Sequence, residues 1–164
     1  MPVLILALAG ALVWIVSGTF EDKITNAGDM APDFKVVDDK GRTLTRSDFG
    51  GKLLVLIFWA SWCAPCVEEV PSLEAFQRTL RDKGVVVVGI SLDTNEKRYQ
   101  QFLKRFPVSF STVRDPKADV SSSYGTFQIP ETYIIDSAGK VREKIISNQN
   151  WMDPAFLARV TAML

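Results

Sequence analysis

The sequence predicts an α/β domain, a mixed sheet covered on both faces in a three-layer α/β/α sandwich, and three observations carry that expectation. Apolar strand-like runs alternate with segments of helical periodicity. The last third reads as a hairpin followed by a helix, which puts an antiparallel element beside the parallel ones. Finally, 164 residues, 47% hydrophobic and 23% charged, supply one ordinary core.

Each element has a local reason. Residues 34–37 and 42–45 flank Asp38-Asp39-Lys40-Gly41, a hairpin with a glycine-containing turn. Residues 53–59 are continuously apolar, too short for a typical helix and preceded by Gly50-Gly51, hence a buried strand. Over 64–82 the apolar residues Val67, Val70, Leu73, Phe76 and Leu80 fall three and four apart, one face of a helix that stops before Gly84. Residues 85–92 form a second buried strand rich in valine. Asn95 caps a helix that Pro107 ends, and 110–114 follow as a strand. Residues 132–135 and 141–146 flank the turn Asp136-Ser137-Ala138-Gly139, and Asp153 with Pro154 starts a last helix.

Composition removes several functions. With 19 basic and 19 acidic residues the formal net charge is +0, so no broad basic surface awaits nucleic acid. There is no histidine, which excludes Ser-His and Cys-His nucleophile pairs and the commonest zinc ligand. The two cysteines alone cannot complete a tetrahedral metal site, so neither a metal nor a cofactor is expected.

The chain divides into residues 1–23, a membrane anchor or signal segment; 24–30, a polar linker; and 31–164, the folded domain. The 18 residues 3–20 carry no charge; as a helix they run roughly 27 Å, just about the hydrocarbon thickness. Only Met1 and Pro2 precede the run and no small-x-small cleavage site follows it, which favours an uncleaved anchor over a removed signal peptide or a buried core helix. The basic residues flanking it are too few to set an orientation.

The chemistry centres on Cys63-Ala64-Pro65-Cys66, where a buried strand hands over to a helix. There the first sulfur meets unpaired backbone N–H groups and the positive end of the helix dipole, which favour a thiolate. Cys63 is the expected nucleophile and Cys66, one turn in, the resolving thiol. A purely structural disulfide is the plainer alternative, but closing so small a loop restricts the unfolded chain little.

Trp59-Ala60-Ser61-Trp62-Cys63-Ala64-Pro65-Cys66 resembles the active-site segment of thioredoxins, and Ile129-Pro130-Glu131-Thr132 resembles their cis-proline loop. Pro71 matches the proline that bends the active-site helix of that family. The opening Gly28-Asp29-Met30-Ala31-Pro32-Asp33-Phe34 and the added helix and strand between Leu92 and Tyr124 are similar to the TlpA, ResA and CcmG branch of the AhpC/TSA-redoxin superfamily. The resemblance implies a thioredoxin fold with an extra N-terminal hairpin and a central helix-strand insertion. It implies a monomeric bacterial protein anchored by one membrane helix, with its catalytic domain extracytoplasmic and a membrane thiol donor of CcdA or DsbD type. Disulfide-bearing proteins would be the substrates, apocytochrome c among the candidates.

By the same resemblance Pro130 forms a cis peptide with Ile129 beside the Cys63 sulfur, and the two align an extended substrate backbone; as the plainer alternative, Pro130 starts a strand. Trp59, Trp62 and Tyr133 become aromatic neighbours of the site, Trp59 and Trp62 on the substrate side, with core packing as the plainer alternative for any of the three. Plain thioredoxins carry a buried Asp where this chain has Ile57. Glu69 matches a carboxylate of the ResA and CcmG proteins and would take the proton of Cys66 if buried; otherwise it is an exposed helix charge, as Glu68 is expected to be.

Three functions compete: a reductase of extracytoplasmic disulfides, or a disulfide-donating oxidant on the same scaffold; a peroxidase of peroxiredoxin type; and a tethered binding module. Against the peroxidase, Ala60 stands where the peroxidatic motif needs Thr. Against the module, Cys63, Cys66 and Pro130 are all intact.

Overall fold

A computed structural model of the chain describes residues 24–164, so the expected N-terminal anchor lies outside the described residues. At its centre is β3 (Leu53–Trp59), buried along its whole length. It pairs in parallel with β4 (Val85–Ser91), which pairs in parallel with β5 (Ser111–Arg114). On its other edge β3 meets β6 (Glu131–Ile135), and β6 meets β7 (Val141–Ile146), both antiparallel. The sheet order is therefore β5-β4-β3-β6-β7, the mixed sheet expected from the order of elements. A separate hairpin joins β1 (Lys35–Val37) to β2 (Thr43–Thr45), with Val36 opposite Leu44.

The period of two along β3 sorts the core into two layers. Leu53, Val55 and Ile57 pack with Leu73, Phe76 and Leu80 of α1 (Ala64–Leu80) and with Phe156 and Val160 of α4 (Pro154–Thr161). Leu54, Leu56 and Phe58 face the opposite way, onto Leu44 of the hairpin and Val120 and Tyr124 of the short α3 (Asp119–Tyr124). A one-residue slip would exchange the two layers, so burial fixes the register. Truncating the fully buried Phe58 to Ala would cost about 3–5 kcal/mol.

Two features depart from the sequence expectation. Helix α3 was not among the expected elements, and it has no side-chain cap of its own, since Ala118 sits at the cap position with φ 59°. The carboxylate of Asp115 does that work from further back, accepting the N–H groups of Asp119, Val120 and Ser121 at 3.0, 3.0 and 3.2 Å. The residues expected as a linker, 24–30, are docked. Thr25, 2% exposed, donates its N–H to Tyr124 O; Gly28 N–H reaches Val141 O at 2.8 Å; and Met30 forms a bridge with Lys140. The ordered body thus takes in Thr25 rather than starting near Ala31. Polarity of the segment misleads because its backbone groups are satisfied by the end of α3, by β7 and by the turn before β7.

The remaining helix, α2 (Glu96–Arg105), is capped by Asn95, whose side chain accepts the N–H of Arg98. It buries Tyr99 and Phe102 against Trp59, with ring centroids 6.2 and 4.8 Å away. That contact makes α2 a wall of the site described next.

Candidate active site

Strand β3 ends at Trp59, and four residues later α1 begins with Cys63 as its N-cap. Cys63 and Cys66 form a disulfide, with Cα atoms 5.3 Å apart. The sulfur of Cys63 accepts the N–H of Cys66 at 3.3 Å, so the first turn of the helix aims a backbone donor at the atom that carries charge in a thiolate. The connecting loop is pinned by Asp93, 1% exposed at the end of β4. Its carboxylate accepts the N–H of Ser61 at 2.8 Å and the Ser61 and Ser91 hydroxyls at 2.6 and 2.7 Å.

The Ile129–Pro130 peptide is cis, and the Ile129 carbonyl oxygen lies 3.8 Å from the Cys63 sulfur. The loop before β6 therefore meets the N-terminus of α1, two elements some 66 residues apart in sequence. Trp62 is 61% exposed beside the disulfide.

Glu69, one turn beyond Cys66, is 4% exposed. Its Oε2 accepts the backbone N–H of Gln149 at 3.0 Å and the indole N–H of Trp151 at 3.1 Å, while Oε1 has no hydrogen bond. Burial pushes its carboxyl up to about 7, and the two donors offset only part of that cost. Cys66 and Glu69 both line a cavity of about 20 Å³, room for about one water. On its other side Glu69 borders an open depression with Glu68, Ser72 and Asn148.

Taken as a whole, the chain is also similar to known proteins. The family model described as AhpC/TSA family matches residues 27–144. The chain belongs to the AhpC/TSA family, in its ResA-like branch. The thiol-disulfide oxidoreductase ResA of Bacillus cereus is 32% identical over 149 residues, covering 90% of this chain and 86% of the relative. ResA of Oceanobacillus iheyensis is 34% identical over 148 residues, covering 86% and 76%. Among solved structures, a candidate thiol:disulfide interchange protein DsbE from Chlorobium tepidum superposes with a TM-score of 0.74 at 32% identity, covering 85% of this chain and 95% of that one.

Within this ResA-like frame not every expected site residue reaches the surface. Trp59 was expected on the substrate side but is 6% exposed, packed among Cys63, Cys66, Val70 and Phe102. It is the wall behind the disulfide, because β3 delivers its side chain inward at the sheet's end. Tyr133 lies in the opposite layer, against Phe58 and Tyr124, and is not a neighbour of the sulfurs. Glu68 is exposed. Sequence reasoning missed Asp93, Gln149 and Trp151; the one available signal was Trp151 itself, since a buried indole N–H needs an acceptor. Among the described residues no three His, Cys, Asp or Glu side chains gather as a metal site.

Proposed function

We propose that this protein is a thiol-disulfide oxidoreductase that reduces disulfides of extracytoplasmic proteins, as a membrane-tethered monomer. The observation that carries the chemistry is the Cys63–Cys66 disulfide on the helix N-terminus with the Ile129–Pro130 loop against it. In the dithiol form the Cys63 thiolate attacks a substrate disulfide, forming a mixed disulfide and releasing the first substrate thiolate. Cys66 then loses its proton and attacks the Cys63 sulfur; the second substrate thiol leaves, and the chain holds the Cys63–Cys66 disulfide with two electrons transferred. Glu69, through the small cavity it shares with Cys66, takes the Cys66 proton and passes it to solvent across the depression on its other face.

A membrane dithiol donor of CcdA or DsbD type closes the cycle. The uncharged residues 3–20 support the tether, while among the described residues no helix is long and apolar enough to cross a membrane. The names of the ResA and DsbE relatives support disulfide-bearing proteins as substrates, with apocytochrome c as one candidate.

Three measurements on the full chain in neutral detergent test this reading. A Cys66→Ser variant should accumulate a mixed disulfide at Cys63 with a disulfide-bearing protein, and Cys63→Ser should not. A reduction potential near that of thioredoxin, about −270 mV, supports the reductase, whereas one near about −120 mV would recast the protein as a disulfide donor. Peroxide consumption without disulfide turnover would assign the peroxidase instead.

A further inference from the structure

The redox centre is flanked by two depressions of opposite character. One, bordered by Glu68, Glu69 and Asn148, holds carboxylates and amides and no cation. The other is a groove of about 390 Å³ beside Cys63, lined by Trp62 and Val67 from α1 and the loop before it, and by Arg98, Gln101, Arg105 and Phe106 along and just beyond α2. No carboxylate lines this second groove among the described residues.

The arginines are placed rather than scattered. Residues 98, 101, 102 and 105 recur at helical spacing, so Arg98, Gln101 and Arg105 share one face of α2. Neither arginine is in an ion pair among the described residues, whereas the one acid of α2, Glu96, is taken by Arg114 at 3.3 Å. The Arg105 guanidinium lies 5.3 Å over the Phe106 ring, an arrangement that steadies the plane and leaves its edge donors free. The helix beneath is held by Tyr99 and Phe102 against Trp59, the wall of the disulfide, so the helix that carries the two exposed cations is anchored to the redox site.

We propose, resting on the oxidoreductase reading, that this groove binds a carboxylate-bearing segment flanking the substrate protein's target disulfide. Arg98 and Arg105 take the carboxylates, and exposed Trp62 takes a neighbouring apolar side chain. A bilayer surface is a poorer match, because a flat anionic face would meet the rim cations without filling the concave floor between Trp62 and α2.

The test is kcat/KM of the full chain in neutral detergent with three disulfide-loop peptides that differ only in an acidic, neutral or basic flank. The expected preference for the acidic over the basic flank is about 10-fold at low salt, from two solvent-exposed pairs, shrinking at about 0.5 M salt. R98Q/R105Q should erase the preference and R98E/R105E should invert it. Equal kcat/KM for the three peptides, or a preference unchanged in both double variants, would overturn the groove's role while leaving the oxidoreductase reading intact. No turnover of any of the three peptides would overturn that reading, and the groove's role with it.

Discussion

Two buried glutamates sit on opposite faces of the same sheet, and they are buried in different company. Glu131, fully buried next to Pro130, receives Lys144 Nζ at 2.8 Å and the Tyr133 hydroxyl. Lys144 in turn donates to the carbonyl of Thr25 at 3.2 Å and lies 5.2 Å over the Tyr133 ring, so the pair ties the docked N-terminal segment to the strand behind the cis-proline loop. Glu69 has only two neutral donors, Gln149 N–H and the Trp151 indole. Burial alone does not make a carboxyl a proton carrier; burial without a cation does, because two neutral donors compensate only part of the charge when the proton leaves.

The largest expected effect breaks the paired side. Lys144→Met leaves Glu131 buried without its cation and should cost about 3–5 kcal/mol in urea unfolding, with much of it recovered in Lys144→Met/Glu131→Gln. Recovery of nothing in the double variant would mean that packing of the lysine stem, rather than the charge, matters.

The unpaired side is next. The carboxyl of Glu69 is raised from 4.5 to about 7 by burial, so the folded state holds a proton that the unfolded chain releases between those values. Its contribution is therefore fully present below pH 4.5 and lost as pH rises through about 7, a fall of up to roughly 3 kcal/mol. Glu69→Gln should flatten that part of the stability profile, leaving the variant more stable than wild type at pH 8 and little different at pH 4. Parallel profiles for the two proteins would show that Glu69 does not titrate in this range.

Trp151→Phe gives the smallest change. Removing one donor that favours the carboxylate should move the Glu69 inflection further up, by about one pH unit at most, for a hydrogen bond worth about 1 kcal/mol. A carboxyl NMR titration reads it directly, and a downward shift would contradict the placement of that donor.

The same contrast separates what the sequence revealed from what it hid. The unbroken apolar run of β3, the three-four spacing of α1 and the Asp153-Pro154 start of α4 are local signals, and each element formed where its own residues pointed. The sulfur pair was equally plain, since its spacing and its place after a strand are both local. What surrounds the two glutamates is not local. Trp151 reaches Glu69 across 82 residues, and Lys144 meets the Glu131 cluster only because β7 runs antiparallel to β6 with Lys144 opposite Tyr133. A carboxyl's partners decide whether it is an ion-pair member or a proton carrier, and those partners arrive with the tertiary fold.

The most direct measurement follows the resolution step alone. A mixed disulfide between Cys63 and a model peptide would be formed on the full chain, and peptide release by Cys66 timed from pH 5 to 9 in wild type and Glu69→Gln. The account predicts a wild-type rate that rises through an inflection near 7, and in the variant a loss of about 10²-fold with no inflection near 7. Superimposable profiles for the two proteins would contradict it.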